Sequence, residues 1–556
     1  MFLEELPNEL IIECLKYLNG FDIFYSFNQL NTRFQSLIRD LPLSINFCNV
    51  NKVKFDDFCC LLSSNPEIQQ QIRSLHLSNE DFCQIYLFLS KFSFNEFSNL
   101  QSLTLFHVAP HNQSQLSIQL PFLSQLSCFR LTMPKNSNYC IRVPLAIKQL
   151  RILMIADVFD SIQYLYHISS LEYLTILSCD SLKLTNILNN IPKLKYLNIN
   201  YFYRTGSPMN IADEYSRKFE KAIHLKRLII KNYTDYLSKL EWIFMQTPNL
   251  ESLTLTIIQI EVIDANQWQE WILYILQQLR TFQFCFHFRD EEIIKNIDTL
   301  FKQFQNDFWL KQHQWYTEYI VLEGVGFMYT IPYSLNIYTV DEYISNYNYP
   351  LTTSPNKYDN VTDLTISTNT SMNQNQFYFS NIRSLTFSYG SPVPTSVDSL
   401  RDLTNLTHIK ELKFNSKHHI DPLFLLHLLK QAPNISSLSI YVKLLLLLLN
   451  NDELCFYLNK MIKKLTFLGS FNIDPNKDLS KIWQTFSNIE YIHYEVQHQD
   501  FLITIIPLLP KLLRIDIPSS SSYLNLDLLS QLGVQIIVDD LKSKLNYTPR
   551  VLWIIR

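Results

Sequence analysis

One phrase recurs along the chain: an aliphatic residue, two of any kind, a second aliphatic, one of any kind, and a third aliphatic. It reads Ile72-x-x-Leu75-x-Leu77, Leu100/Leu103/Leu105, Leu126/Phe129/Leu131, Leu150/Leu153/Ile155, Leu171/Leu174/Ile176 and Leu194/Leu197/Ile199. It continues at Leu225/Leu228/Ile230, Leu250/Leu253/Leu255 and Leu279/Phe282/Phe284. After a gap it returns at Val361/Leu364/Ile366, Ile382/Leu385/Phe387, Ile409/Leu412/Phe414, Ile435/Leu438/Ile440, Ile462/Leu465/Phe467, Ile489/Ile492/Tyr494 and Leu512/Ile515/Ile517. The residue between the last two apolar positions reads His76, Thr104, Arg130, Met154, Thr175, Asn198, Ile229, Thr254 and Gln283 before the gap. After it come Thr365, Thr386, Lys413, Ser439, Thr466, His493 and Asp516. All but Met154 and Ile229 are polar. Period-two alternation of this kind predicts short strands with one buried and one wet face.

The segments between copies predict helices. Several end on proline just before the next strand, as in Ile191-Pro192, Thr247-Pro248, Ala432-Pro433 and Leu509-Pro510. Proline cannot continue a helix and pushes its predecessor into extended geometry. Leu423 to Leu429 carries the apolar stripe of an outer helix, and the run Leu444 to Leu449 fits a buried helix of the same layer. Residues 285–360 break the rhythm. A helical stretch over roughly 290–308 bears Phe301, Phe304 and Phe308, with Trp309 just beyond. Tyr319–Leu322 and Phe327–Ile331, separated by Gly324-Val-Gly326, suggest a hairpin, and 341–360 reads as a loop. The region is either a functional insertion or a structural joint.

Residues 3–38 predict three short helices. Pro7 stands where a helix can begin, and Leu10, Ile11, Cys14, Leu15 and Leu18 follow at three- and four-residue spacing. Asn19-Gly20 breaks that helix. Asp22 is placed to cap the second, whose apolar face is Ile23, Phe24, Phe27 and Leu30. Asn31-Thr32 leads into Phe34, Leu37 and Ile38. Helices this short must pack on each other or on a partner.

This segment resembles the F-box in Leu6-Pro7-x-Glu9-Leu10, Ile12, Leu15, Leu18, Phe21-Asp22-Ile23 and Leu30-Asn31-x-Arg33-Phe34. It departs where Asn31 replaces a frequent cysteine or serine, and no tryptophan follows. The repeats resemble leucine-rich repeats, whose usual pitch is about 20–29 residues, and the pairing resembles the F-box/LRR proteins. The asparagine of the tight repeat consensus, three residues after the last aliphatic, is mostly missing; Asn369 and Cys179 are exceptions. The fold implied is α/β: an N-terminal three-helix F-box, then an irregular leucine-rich-repeat solenoid with parallel strands on the concave face and helices on the convex face. Its divisions are 1–40 (F-box), 41–288 and 361–545 (two half-arrays), 289–360 (irregular insertion or joint) and 546–556 (tail).

The function implied by resemblance is substrate recognition within an SCF-type ubiquitin ligase, with no catalytic residue in this chain. A Skp1-type adaptor, and through it a cullin–RING ligase, would dock on Leu6, Pro7, Leu10, Leu15 and Leu18. A client protein would meet His76, Thr104, Arg130, Thr175, Asn198, Thr254, Thr365, Thr386, Lys413 and His493. The alternative is a repeat scaffold without a ubiquitin role, in which the first helices only cap the array.

Composition narrows the remaining classes. The 556 residues are 47% hydrophobic and 18% charged, enough for a large core. A net charge of −4 with both signs interspersed gives no footprint for nucleic acid or membrane. Ten cysteines form no CxxC pair and are expected as buried, reduced thiols. The start, MFLEELPNEL, carries acid where a secretory signal carries base, so a cytoplasmic or nuclear location is expected. Only seven glycines occur, and no P-loop, Gly-x-Ser-x-Gly, His-Glu-x-x-His or metal-spaced Cys/His cluster is present, so no cofactor and no metal are expected. Asp290-Glu291-Glu292 reads as the acidic first turn of a helix. His107 and His111 are split by Pro110, and neighbours His418 and His419 would point to opposite faces of a strand.

Overall fold

The computed structural model describes residues 3–28, 30–48, 50–133, 149–155, 168–204, 221–258, 264–322, 324–340, 357–367, 378–388, 396–415, 419–469, 479–494, 500–517, 535–540 and 550–555. The chain divides into two units. One holds Met1–Leu253 and Trp271–Leu279; the other holds Thr254–Glu270 and Arg280–Arg556.

In the first unit the repeated phrase forms strands β2 (Ile72–Ser78), β3 (Ser102–Phe106), β4 (Cys128–Leu131), β5 (Ile152–Ile155), β6 (Tyr173–Cys179), β7 (Tyr196–Phe202) and β8 (Arg227–Tyr233). A shorter strand, β1 (Leu43–Asn46), precedes them. β1–β8 lie side by side in chain order and all neighbours are parallel. The unit boundary falls inside β9 (Ser252–Ile257). Register is strict: Leu75, Leu103, Phe129, Leu153, Leu174, Leu197 and Leu228 are neighbours in one row, each fully buried. Burying one such side chain contributes roughly 1.5–3 kcal/mol, so the row fixes which face turns inward.

The second unit opens with β10 (Thr281–Phe288), which pairs antiparallel with the hairpin of β11 (Thr317–Leu322) and β12 (Val325–Thr330). That hairpin was expected. Gly326 is required where β12 crosses β10, since a Cβ there would sit 1.8 Å from the ring of Phe288. Parallel strands follow: β13 (Ile337–Val340), β14 (Asp363–Ile366), β15 (Ser384–Phe387), β16 (Glu411–Phe414), β17 (Ser437–Tyr441), β18 (Lys464–Leu468), β19 (Tyr491–His493) and β20 (Arg514–Ile517). β21 (Gln535–Asp540) and β22 (Arg550–Ile555) close this sheet in the order β20-β22-β21, antiparallel. Arg550–Ile555, expected as a tail, is thus a strand with Leu552 fully buried.

β13 belongs to the stretch expected as an irregular insertion or joint. It is a further copy of the phrase, Leu335/Tyr338/Val340, with tyrosine in a core position at 3% exposure. Beside it, buried Glu318 accepts hydrogen bonds from Tyr329 (2.9 Å) and Tyr358 (3.2 Å) and pairs with Lys357. These groups tie the hairpin to the start of the parallel strands.

The return helices end where the prolines stand: Ser181–Asn190, Leu237–Gln246 and Pro422–Gln431 each stop one or two residues before one. The leucine run forms Val442–Leu448, with Leu444, Leu445 and Leu448 buried. Asp290 caps Glu291–Lys295, accepting from Glu292 N at 2.7 Å. Among the described residues no helix is long and apolar enough to cross a membrane.

The asparagine missing after the strand has a counterpart before it. The side chains of Asn99, Asn249, Asn360, Asn381, Asn434 and Asn488 stand just ahead of the first apolar position. Each donates to a backbone carbonyl of the preceding turn, namely those of Gln70, Ile223, Tyr333, Asp359, Thr407 and Asn459, at 2.7–3.2 Å. A carbonyl that no backbone amide reaches is bonded this way. Cys179 is buried and lies against the Asp180 carbonyl, while Asn369 and His418 fall outside the described residues.

Candidate functional site

The first candidate surface is made by helices α1 (Asn8–Leu15), α2 (Gly20–Phe27) and α3 (Thr32–Arg39). Pro7 occupies the cap position of α1. Asn19, not Asp22, caps α2, accepting from Phe21 N at 3.3 Å; Asn31 caps α3, accepting from Phe34 N at 3.0 Å. An asparagine at the position where cysteine or serine is frequent therefore has a local purpose. Arg33 holds the opening in place: it donates to Asn8 Oδ1 (2.8 Å), to the Glu4 carbonyl (2.5 Å) and to the Leu6 carbonyl (2.6 Å). Nothing in the apolar spacing pointed to it.

The apolar stripe of α1 splits into two faces. Ile11 and Leu15 turn inward with Phe21, Ile23, Phe24, Phe34 and Ile38, all buried, and Phe27 stacks on Phe34 at 5.4 Å. Leu15 is therefore a core residue, only 2% exposed, and is withdrawn from the docking set. One helical step away, Pro7, Leu10, Cys14 and Leu18 form an outward ridge. Leu10 is 51% and Leu18 41% exposed, Leu6 is half-buried, and Tyr17 and Leu30 flank the ridge in the open. Cys14, like Cys60, is exposed, contrary to the expectation of buried thiols; Cys59, Cys83, Cys128, Cys179 and Cys285 are buried. Burial pushes the Cys59 thiol up to about 12.

The three helices also close the edge of the first unit's sheet. Asn19 Nδ2 donates to the Asn46 carbonyl (2.8 Å) and Asn19 Oδ1 accepts from Asn46 N (2.9 Å). Gly20 lies against β1, where a Cβ would come within 2.6 Å of Ile45. An otherwise open strand edge is thus covered.

The second candidate surface is the outward face of the strands, described separately for each unit. In the first, His76, Thr104, Arg130, Met154, Thr175, Asn198 and Ile229 stand in one row across β2–β8. His76, Arg130 and Thr175 are half-buried. Thr104 is fully buried and Asn198 is 8% exposed, so neither is the open contact expected of it; both are hemmed in by row neighbours on the flanking strands. Burial, and next the charge of Arg130, hold His76 below the usual imidazole range.

In the second unit Thr365, Thr386, Lys413, Ser439, Thr466, His493 and Asp516 form the equivalent row across β14–β20. All are half-buried but Ser439, which is buried. Here charges are paired locally. Lys413 meets Glu411 at 2.8 Å, and Arg514 meets Asp516 at 2.7 Å while Tyr491 donates to Asp516 at 2.8 Å. Burial, then the Asp516 charge, push the Tyr491 hydroxyl well up, and burial lowers His493. Thr254, on β9, is half-buried and bonds Gln283 at 3.4 Å.

What the fold itself defines is an α/β chain of sheets whose parallel strands carry copies of a repeated phrase, consistent with a leucine-rich-repeat-like solenoid. No protein-family model matches the chain, and no curated protein matches it. Among solved structures, a leucine-rich-repeat protein of Leptospira interrogans is 11% identical over 81% of this chain and 97% of its own, with a TM-score of 0.21. The Rad7 and Elc1 complex in yeast is 12% identical over 79% of this chain and 84% of its own, with a TM-score of 0.26. At these scores neither likeness carries an argument about this chain.

Proposed function

We propose that the chain is a substrate-recognition adaptor of an SCF-type ubiquitin ligase, holding a Skp1-type adaptor on its N-terminal ridge and a client on the open faces of its strands. The observation that supports this reading most is the ridge of Pro7, Leu10, Cys14 and Leu18, left outside a three-helix unit whose own core is already complete. Exposed leucines on one helical face gain by burial against a partner. In this role the chain makes and breaks no bond; it raises the effective concentration of client near the ligase. The bonds between Asn19 and Asn46 favour a second reading, in which the helices only cap the sheet of a scaffold.

Leu10→Asp with Leu18→Asp separates the two. Both side chains are open, so the fold is retained, and at roughly 1.5–3 kcal/mol per buried leucine the adaptor reading expects at least about a hundredfold loss of Skp1-type adaptor in co-purification. Undiminished co-purification, or none with the native chain, leaves only the scaffold.

A further inference from the structure

We propose that the outward face of β2–β4 is an anion-binding subsite formed by His76, Thr104 and Arg130, and that its ligand is a phosphorylated or carboxylate side chain on a client peptide. This deepens the adaptor reading by naming the client's chemistry.

The three residues are in-register neighbours on adjacent strands. At about 4.8 Å per strand, His76 and Arg130 are roughly 10 Å apart at the backbone, with Thr104 between them, so one anion could bridge the three. All three side chains can donate hydrogen bonds, and two hold buried atoms that nothing satisfies. Thr104 Oγ1, on a fully buried residue, and Arg130 Nε have no hydrogen-bond partner. Among the described residues no carboxylate pairs with Arg130, and no acid stands on the two outward rows of β1–β8. Buried donors without acceptors are costly, and an anion would satisfy them with charge-assisted bonds, the strong kind.

A peptide fits better than a polynucleotide. The next cation in these rows, Arg227 on β8, is four strands away, roughly 19 Å, so the face offers one charged pocket and no basic track. The chain as a whole is acidic, at −4. Farther along the row Asn198 Oδ1 is also buried without a partner, an acceptor suited to a backbone N–H.

The test uses the purified full chain with no adaptor present, so its outcome is independent of the ridge. Three matched degenerate peptide pools are offered, centred on phosphoserine or phosphothreonine, on aspartate or glutamate, and on serine or threonine, beside a single-stranded oligonucleotide. Retention of one or both anionic pools at least tenfold above the uncharged pool is expected, and which pool is kept tells phosphate from carboxylate. Arg130→Gln should abolish the preference, Arg130→Lys should weaken it, and Lys413→Gln, at a cation already paired with Glu411, should leave it intact. Equal retention of the uncharged pool, retention of the oligonucleotide alone, no retention at all, or a preference that survives both Arg130 variants overturns the proposal.

Discussion

On the outward rows of β1–β8, Arg130 and Arg227 meet no acid; on those of β13–β20, Lys413 lies 2.8 Å from Glu411 and Arg514 lies 2.7 Å from Asp516. The strand geometry is the same in both units, so the backbone does not create this difference. It comes from what occupies two outward positions per repeat. On β16 and β20 of the second unit an acid and a base stand two residues apart on one strand, and so share a face at close range. In the first unit the outward positions hold small polar, tyrosine and apolar residues such as Ile152, Met154 and Ile229, with no acid beside Arg130 or Arg227. A face that neutralises itself serves stability, whereas one that leaves donors unsatisfied retains binding energy for a ligand.

The largest effect expected from this contrast is a pH dependence in the second unit. His287, on β10, is packed against Phe327 at 4.6 Å, its Nε2 is buried without a partner, and burial lowers its pKa to about 4. An unfolded chain takes up this proton near the ordinary 6.5, and the folded chain only near 4. The stability contributed is complete above pH 6.5 and is lost as pH falls to about 4, amounting to about 3 kcal/mol. Urea unfolding of the native chain and of His287→Leu across pH 7 to 4 should show the native curve falling more steeply. Parallel curves would mean that the imidazole is not held neutral by its surroundings.

Next in size is Asp516→Asn. It removes the charged acceptor from both Arg514 and Tyr491, and charge-assisted bonds of this kind contribute roughly 1.5–3 kcal/mol. A midpoint shift in urea equivalent to about 2 kcal/mol is expected, and no shift would remove the claim that pairing stabilises this face. Smallest is Arg130→Gln, which orphans no carboxylate and should change unfolding by less than about 1 kcal/mol. A loss comparable to that of Asp516→Asn would show that Arg130 is structural, and the contrast between the faces would fail.

Much of this architecture was legible from the repeated phrase alone. Every copy of it became a strand, because three apolar residues at fixed offsets leave the chain one way to bury them. Copies with altered chemistry were missed. β13 carries Tyr338 where an aliphatic was sought, and β1 has Leu43 and Ile45 but Asp40 where the leading aliphatic belongs. β22 pairs antiparallel and lacks the phrase. At the N-terminus, spacing placed Leu10, Ile11, Cys14, Leu15 and Leu18 on one stripe, yet neighbouring apolar residues on a helix lie about 100° apart, and periodicity could not say which half faces inward. Burial of Ile11 and Leu15 in the folded chain shows which half it is, and the grip of Arg33 on the Leu6 carbonyl is a tertiary contact with no periodic trace. Alternation marked Thr104 as outward but gave no warning that its neighbours bury it.

The central claim is that two separate surfaces of one chain, the N-terminal ridge and the β2–β4 face, hold two different partners. Titrating a purified Skp1-type adaptor and the anionic peptide pools against native chain, Leu10→Asp/Leu18→Asp and Arg130→Gln tests it directly. The account predicts that the ridge variant loses the adaptor and keeps the peptides, while Arg130→Gln does the reverse. Loss of both by either variant, or of neither by both, would contradict it.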